Sequence, residues 1–279
     1  MTPDEYCQQK AAASGSSFYY SFRFLPPERR RAITALYAFC REVDDVVDEC
    51  SDSALAQAKL AWWRDEVGQL LAGKPRHPVS RALAQAVASH GVTGERLGEI
   101  ISGVEMDLTR RRYADFAALE RYCYHVAGVV GMLAAGIFGY RDPRTLEYAR
   151  TLGTAFQLTN IIRDVGEDAR KDRIYLPQDE LRRFGVSTTD ILQRRMTESF
   201  GKLMAFQAER ARRYYGEALG LLPAEDRRAQ RPGLIMAAIY RTLLEEIERD
   251  GFRVLSQRTS LTPLRKFWLA WRTWALSAA

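Results

Sequence analysis

Apolar residues recur at helical spacing along most of the chain, and no stretch shows the two-residue alternation of a half-buried strand. The clearest stripe is Leu36, Phe39, Cys40, Val43 and Val47, at i, i+3, i+4 and i+7. It predicts a helix from about Glu28, just after Pro26 and Pro27, to about Glu49. Similar spacing predicts helices over 4–13, 53–72, 79–89, 94–109 and 115–139. A further helix begins with Asp142 as N-cap and Pro143 at its first position. Ser187–Thr189 caps a long helix to about Gly220, and residues 234–256 form another. No Gly/Ser-rich or charged linker divides these elements. Residues 1–279 are therefore expected to form one all-α domain, large enough to enclose a cavity.

Two polar stripes interrupt the apolar pattern. At about 100° per residue, Gln157, Asn160, Asp164 and Asp168 fall within an arc of roughly 80°. Leu152, Phe156, Leu158, Ile162 and Val165 flank that arc, so the stripe is expected to point inward. On the 28–49 helix, Tyr37, Arg41, Asp44 and Asp48 form a second stripe about 100° from the apolar one, and Asp45 lies further round. Alone, the run DDVVDE reads as a solvated acidic face. Paired with the other stripe, it reads as the opposite wall of a shared site. The 36–48 and 153–168 segments are expected to lie antiparallel across that site. Unpaired buried carboxylates are costly, so basic groups or cations should meet them. Gly128, Gly131 and Gly136, with Ala127, Ala134 and Ala135, suggest a smooth wall where a helix or ligand approaches closely. Glu105 and Asp107 are expected on the surface or in salt bridges, with the cavity wall as the alternative.

Charge narrows the partners. The chain has 41 basic and 35 acidic residues, a net charge of +6. The excess is spread as Arg pairs and triplets, which anionic phosphate substrates or a lipid surface explain as well as nucleic acid does; a nucleic-acid binder would leave the aspartate stripes unexplained, and no nucleic-acid partner is expected. Cys7, Cys40, Cys50 and Cys123 form no CxxC pair, and with three histidines they make no zinc pattern. Reduced thiols and a cytosolic location are expected, with no signal peptide. The longest apolar run, Val126–Tyr140, is short for a membrane span. A ferritin-like di-metal protein would need Glu-x-x-His pairs, which are absent.

Hard divalent cations prefer oxygen ligands, and Mg²⁺ is typically held by a few carboxylates plus substrate phosphates. Two facing aspartate stripes suit several Mg²⁺ ions, the surrounding arginines suit a diphosphate, and the Gly, Ala, Val and aromatic lining suits a hydrocarbon. Together they describe a prenyl diphosphate site.

The stretches SSFYYSFRFLP, YAFCREVDDVVD, YCYHVAGVVG and LGTAFQLTNIIRDVGEDARKDRIYLP resemble those of squalene and phytoene synthases, the head-to-head prenyl transferases. The resemblance runs from about Ser16 into the tail and implies an isoprenoid-synthase-type helical bundle around a central cavity. It implies that Asp44, Asp48, Asp164 and Asp168 hold Mg²⁺, helped by Asp45 and Asn160, with Gln157 lining the site. Arg41, Arg173, Tyr240 and Arg258 would contact diphosphate, with Tyr37 beside them. Arg163 matches the motif as a substrate-contacting residue, although its helical phase points away from the stripe and leaves a supporting salt bridge as the alternative. Tyr122 matches a tyrosine implicated in proton handling, and Ser17 and Phe18 match a flap over the first diphosphate. The segment RPGLIMAAIYRTLLEEIERDGFRVL and the tail look most like bacterial presqualene diphosphate synthases of hopanoid biosynthesis, acting on farnesyl diphosphate. The alternatives are phytoene synthesis from geranylgeranyl diphosphate, or a squalene synthase that also reduces its product with NADPH. Downstream isoprenoid enzymes would be its partners. In the tail, Trp268, Trp271 and Trp274, with Arg265, Lys266 and Arg272, either pack on the domain or lie on an anionic bilayer at the inner membrane face.

Overall fold

Pro26 takes an extended backbone (φ −53°, ψ 148°) and Pro27 opens the first long helix, its fixed φ suited to a position whose N–H needs no partner. In the computed structural model, described for residues 1–13, 21–22, 24–50 and 52–276, the regular elements are helical and only the isolated bridge Arg112–Ile174 has β pairing. Ser17 and Phe18 lie outside the described residues. The helices are α1 (Pro3–Ala13), α2 (Pro27–Glu49), α3 (Ser53–Leu71), α4 (Pro78–Ser89), α5 (Gly94–Thr109) and α6 (Phe116–Cys123). Then follow α7 (Val129–Phe138), α8 (Arg144–Arg170), α9 (Gln178–Phe184), α10 (Thr188–Leu192), α11 (Glu198–Leu221), α12 (Arg231–Arg249) and α13 (Pro263–Leu276).

Four boundaries differ from the sequence reading for local reasons. The expected 234–256 helix stops at Arg249, before Gly251 (φ 70°) and Phe252 (φ 55°) take left-handed backbones. Asp142 sits one position before the N-cap, Pro143, and still accepts the Arg144 backbone N–H at 2.8 Å. Ser187 caps only the short α10, in a capping box with Asp190. Arg194 then takes a left-handed backbone (φ 55°), and Thr197 caps α11 afresh. The expected 115–139 helix is divided by a π-helical turn, Tyr124–Gly128. Together, Phe116–Phe138 has the length and apolarity of a membrane span, a longer stretch than the sequence run suggested. In the fold it packs against α5 and α8.

Two apolar clusters build the domain. One gathers α8, α11 and α12 around Leu158, Ile162, Phe200, Met204 and Ile239. The other gathers α2, α3, α4, α5 and α7 around Leu36, Phe39, Leu60, Leu83 and Ile101. A cavity of about 400 Å³ lies between them, walled by α2, the π turn and α7, α8, and α12. The long walls α2 and α8 run in the same direction, not antiparallel as the stripes suggested. Both helices wall the one cavity, and Lys171 and Arg173, just past the end of α8, meet Asp48 near the end of α2. Both aspartate pairs occupy the last two turns of their helices, so they can meet only if the two C-termini coincide.

The glycines explain how tightly the wall closes. A Cβ on Gly131 would collide with the Ala149 carbonyl, and one on Gly153 with the Ala127 carbonyl, so α7 and α8 touch along their backbones. Gly166, between the two α8 aspartates, admits the 253–255 turn: a Cβ there would lie 2.5 Å from the Val254 carbonyl oxygen and 2.7 Å from that of Leu255. That turn leads directly to Arg258. Gly166→Ala should therefore lower the melting temperature, at a cost of about 1–3 kcal/mol from overpacking, although Ala is the better helix former. Gly216→Ala, where nothing lies within 4 Å, should leave it unchanged or raise it. Thermal unfolding of the two variants checks this, and equal behaviour would refute the packing role of Gly166.

Candidate active site

The polar end of the cavity gathers nearly all the residues singled out in the sequence. Tyr37, Arg41, Asp44, Gln157, Asn160, Arg163, Tyr240 and Arg258 line it. Asp48, Asp164 and Asp168 stand just beyond, and Asp164 is bonded to two wall residues, Arg163 and Arg258. Arg163 thus reaches the cavity despite its helical phase, because its long side chain turns back onto the adjacent Asp164 and onto Tyr240.

Each pair of aspartates is divided between a carboxylate held by cations and one left against its neighbours. Asp48 meets Lys171 at 3.0 Å and Arg173 at 3.2 Å, both from the segment that follows α8. Burial would raise its pKa, and these two cations hold it below the ordinary range instead. Asp164 is held down in the same way by Arg163 and by Arg258 at 2.8 Å. Asp44 and Asp168 go the other way. Burial, with Asp48 and Asp107 near the first and Asp164 and Asp107 near the second, pushes each up to about 7, against the partial offset of nearby basic residues.

Asp45 does not join this group. It turns to a neighbouring face of α2, where it meets Arg41 at 2.5 Å and Lys10 of α1 at 2.8 Å. Adjacent residues on a helix point about 100° apart, so Asp44 and Asp45 cannot share one face. Asp107 corrects the reading in the other direction. It lies near the end of α5, within electrostatic range of both aspartate pairs, and accepts hydrogen bonds from Tyr122 at 2.9 Å and Tyr175 at 2.7 Å. Tyr122 is buried behind Asp107 and is not part of the cavity wall. Burial and the Asp107 charge push its hydroxyl well above its ordinary range. No spacing rule distinguished Asp107 from Glu105, which pairs with Arg64 on the other side of α5. Lys266 was also missed as a site residue. It lines the cavity from α13, and burial with Arg163 and Arg258 nearby lowers its pKa.

The donor set suits a divalent cation that keeps part of its hydration. Among the described residues, no three Asp, Glu, His or Cys side chains form a ready-made cage. Two separated carboxylate pairs are what Mg²⁺ uses when substrate phosphates complete its shell. The Asn160 side-chain oxygen is buried without a hydrogen-bond partner, a further oxygen donor at this end of the cavity.

Residues 11–265 match the family model described as squalene/phytoene synthase. The chain belongs to the squalene/phytoene synthase family. It is 35% identical over 275 residues to the phytoene synthase of Arthrospira platensis, spanning 94% of this chain and 89% of that protein. To the chloroplastic phytoene synthase 1 of Arabidopsis thaliana it is 36% identical over 267 residues, spanning 93% of this chain and 63% of that protein. Among solved structures, a dehydrosqualene synthase in complex with a ligand superposes with a TM-score of 0.88 at 29% identity, covering 99% of this chain and 97% of that one. The squalene synthase HpnC from Alicyclobacillus acidocaldarius gives 0.79 at 29% identity, covering 90% and 94%. The all-α isoprenoid-synthase-type fold follows, and so does the activity class: a prenyltransferase of isoprenoid biosynthesis, with a prenyl diphosphate as its substrate.

The opposed titrations of the aspartates yield a test. The unfolded chain ionises Asp168 near 3.8, the folded chain near 7. Its contribution to stability therefore falls as pH rises from about 4 to 7 and stays lost above that. At pH 8 without divalent cations, Asp168→Asn should raise the melting temperature, and the gain should vanish near pH 4. Asp48→Asn should lower it instead, by unpairing Lys171 and Arg173. Both variants should lose turnover. Thermal unfolding against pH, beside diphosphate release, measures all three, and a stabilised Asp48→Asn would contradict this assignment of charges.

Proposed function

We propose that the enzyme joins two farnesyl diphosphates head to head to give presqualene diphosphate. The observation that carries this is a cavity whose charged residues are confined to one end. Arg41, Arg163, Arg258 and Lys266 meet the aspartates there, and Ile33, Leu36, Val130, Ala134, Leu152 and Met236 line the rest. The basic wall residues hold the diphosphates, with Arg173 beside Asp48. Mg²⁺ held by Asp44, Asp48, Asp164 and Asp168, with the Asn160 oxygen, would supply charge neutralisation for the departing pyrophosphate. The C1–O bond of one substrate breaks, and the allylic cation lies among side chains that exclude water. The C2–C3 double bond of the second substrate attacks C1, and loss of one proton closes the cyclopropane. Products are presqualene diphosphate, pyrophosphate and a proton. Tyr122, its hydroxyl committed to Asp107, is a poor base. The proton goes to the released pyrophosphate, which the arginines retain, while Tyr122 and Tyr175 fix the position of Asp107.

The squalene-type names of the two structural neighbours support a farnesyl substrate. A second reading, phytoene synthesis from geranylgeranyl diphosphate, is favoured by the phytoene synthases among the curated relatives. Product analysis with each diphosphate, with and without NADPH, tests both. Presqualene diphosphate from farnesyl diphosphate, unchanged by NADPH, is expected. Squalene formed with NADPH would overturn the non-reducing assignment, and phytoene without reaction of farnesyl diphosphate would establish the second reading.

We infer that chain length is set by Phe22, Phe138 and Tyr148, bulky residues of the uncharged cavity lining. Phe138→Ala should open space for another isoprene unit. It should raise the kcat/KM ratio of geranylgeranyl over farnesyl diphosphate about tenfold, on the order of what added or lost methylenes discriminate. An unchanged ratio would place the length stop elsewhere.

A further inference from the structure

The final helix carries its exposed apolar face away from the bundle. Leu269 and Ala270 of α13 are buried, and α13 packs on α12. Lys266 reaches the cavity from the inner side. On the outer side, Leu264, Phe267, Trp268, Trp271 and Trp274 fall within an arc of about 120°. They are 83%, 48%, 51%, 53% and 37% exposed. A helix on a water-facing surface puts polar residues there; this one puts three tryptophans, and its charged side chains are Arg265, Lys266 and Arg272, with no acid. Contiguous apolar surface of this kind marks an interaction site.

A second cavity shows what that face adjoins. The α13 helix runs from Lys266, near the polar end of the main cavity, to Trp274, which stacks on Phe24 at a centroid distance of 5.6 Å. Trp274 walls another cavity, of about 680 Å³. Ser21 and Pro232 belong to both cavities, so this one backs onto the hydrocarbon end of the first. Arg29, Arg141, Arg228 and Arg231 surround it, against Glu225 and Asp226. Asp226 is turned inward, accepting from the Arg141 and Asp142 backbone N–H groups and from Thr145. The surface beside the tryptophans is therefore net positive.

We propose that α13 and the arginine-rich rim of this rear cavity dock on an anionic lipid bilayer, with the closed end of the prenyl cavity turned toward it. Tryptophan settles at the membrane interface, and basic residues beside it are drawn to anionic headgroups. Charge disfavours a second copy as occupant, because pairing two α13 faces would oppose like charges. The orientation would give the hydrocarbon part of the product a short path to lipid; that part rests on the prenyl-transfer reading, and the docking itself does not.

Flotation of the full-length protein with phosphatidylcholine vesicles, with and without phosphatidylglycerol, tests the proposal. Binding is expected only to the anionic vesicles, weakened by salt. The Trp268→Ser/Trp271→Ser variant, altered only at exposed positions, should bind about tenfold more weakly. Its diphosphate release without vesicles should equal that of the parent. Equal flotation of parent and variant, or no flotation of the parent, would overturn the docking. So would a parent dimer that the variant converts to monomer without any vesicle binding. Intact flotation in a protein inert toward every prenyl diphosphate would leave the docking supported and remove the prenyl-transfer reading instead.

Discussion

Carboxylates at the wrong ends of helices set the terms for this structure. Asp44 and Asp48 close α2, Asp164 and Asp168 close α8, and Asp107 lies in the last turn of α5. A helix C-terminus carries partial negative charge and favours cations, so each carboxylate adds to an unfavourable field. Folding brings these ends together and partly shields the acids from bulk water, and Asp44 and Asp168 answer by holding their protons more tightly. Such a cluster persists only with compensation. The chain supplies part of it with Lys171, Arg173, Arg163 and Arg258. The remainder is the chemical case for cations arriving with a phosphorylated substrate.

The internal ion pairs also place the basic groups where a diphosphate needs them. Arg41 is held by Asp45 and lies 3.9 Å from Asp44, Arg258 by Asp164 and Glu167, and Arg173 by Asp48. These guanidinium groups carry their charge at any physiological pH. Their aspartate partners keep them at the polar end before substrate arrives, so less side-chain freedom remains to be lost on binding. Glycine does the corresponding work for the backbone: without Gly166 the turn that carries Arg258 could not lie against α8.

Much of this was legible along the chain, because helical period alone puts Asp44 with Asp48 and Asp164 with Asp168. The inward direction of the stripes followed from the apolar residues on both flanks. What period cannot supply is the relation between helices. The direction of α8 against α2 depends on where both aspartate pairs fall within their helices, and that was misjudged. Asp107 was missed because its partners, Tyr122 and Tyr175, are 15 and 68 residues away in sequence. Arg163 lines the cavity and pairs with Asp164, as its place in the motif implied, because a Cβ direction out of phase with the stripe says little about where a long side chain ends. Asp45, adjacent to Asp44 in an acidic run, faces Lys10 of a helix that no motif connects to the site.

The same reasoning explains why the charged motifs name a reaction class more readily than a product. They describe the diphosphate end, which squalene-type and phytoene-type chemistry have in common. On the proposed reading the hydrocarbon is measured away from these charges, by Phe22, Phe138 and Tyr148, which arrive from separate parts of the chain. None of these residues is unusual in its own sequence context, and each is also an ordinary packing residue. Their effect comes from meeting at one place, where a change of one side chain alters the depth of the cavity without touching a charge. Substrate length is therefore a property of tertiary packing, free to change while the aspartates and arginines remain as they are.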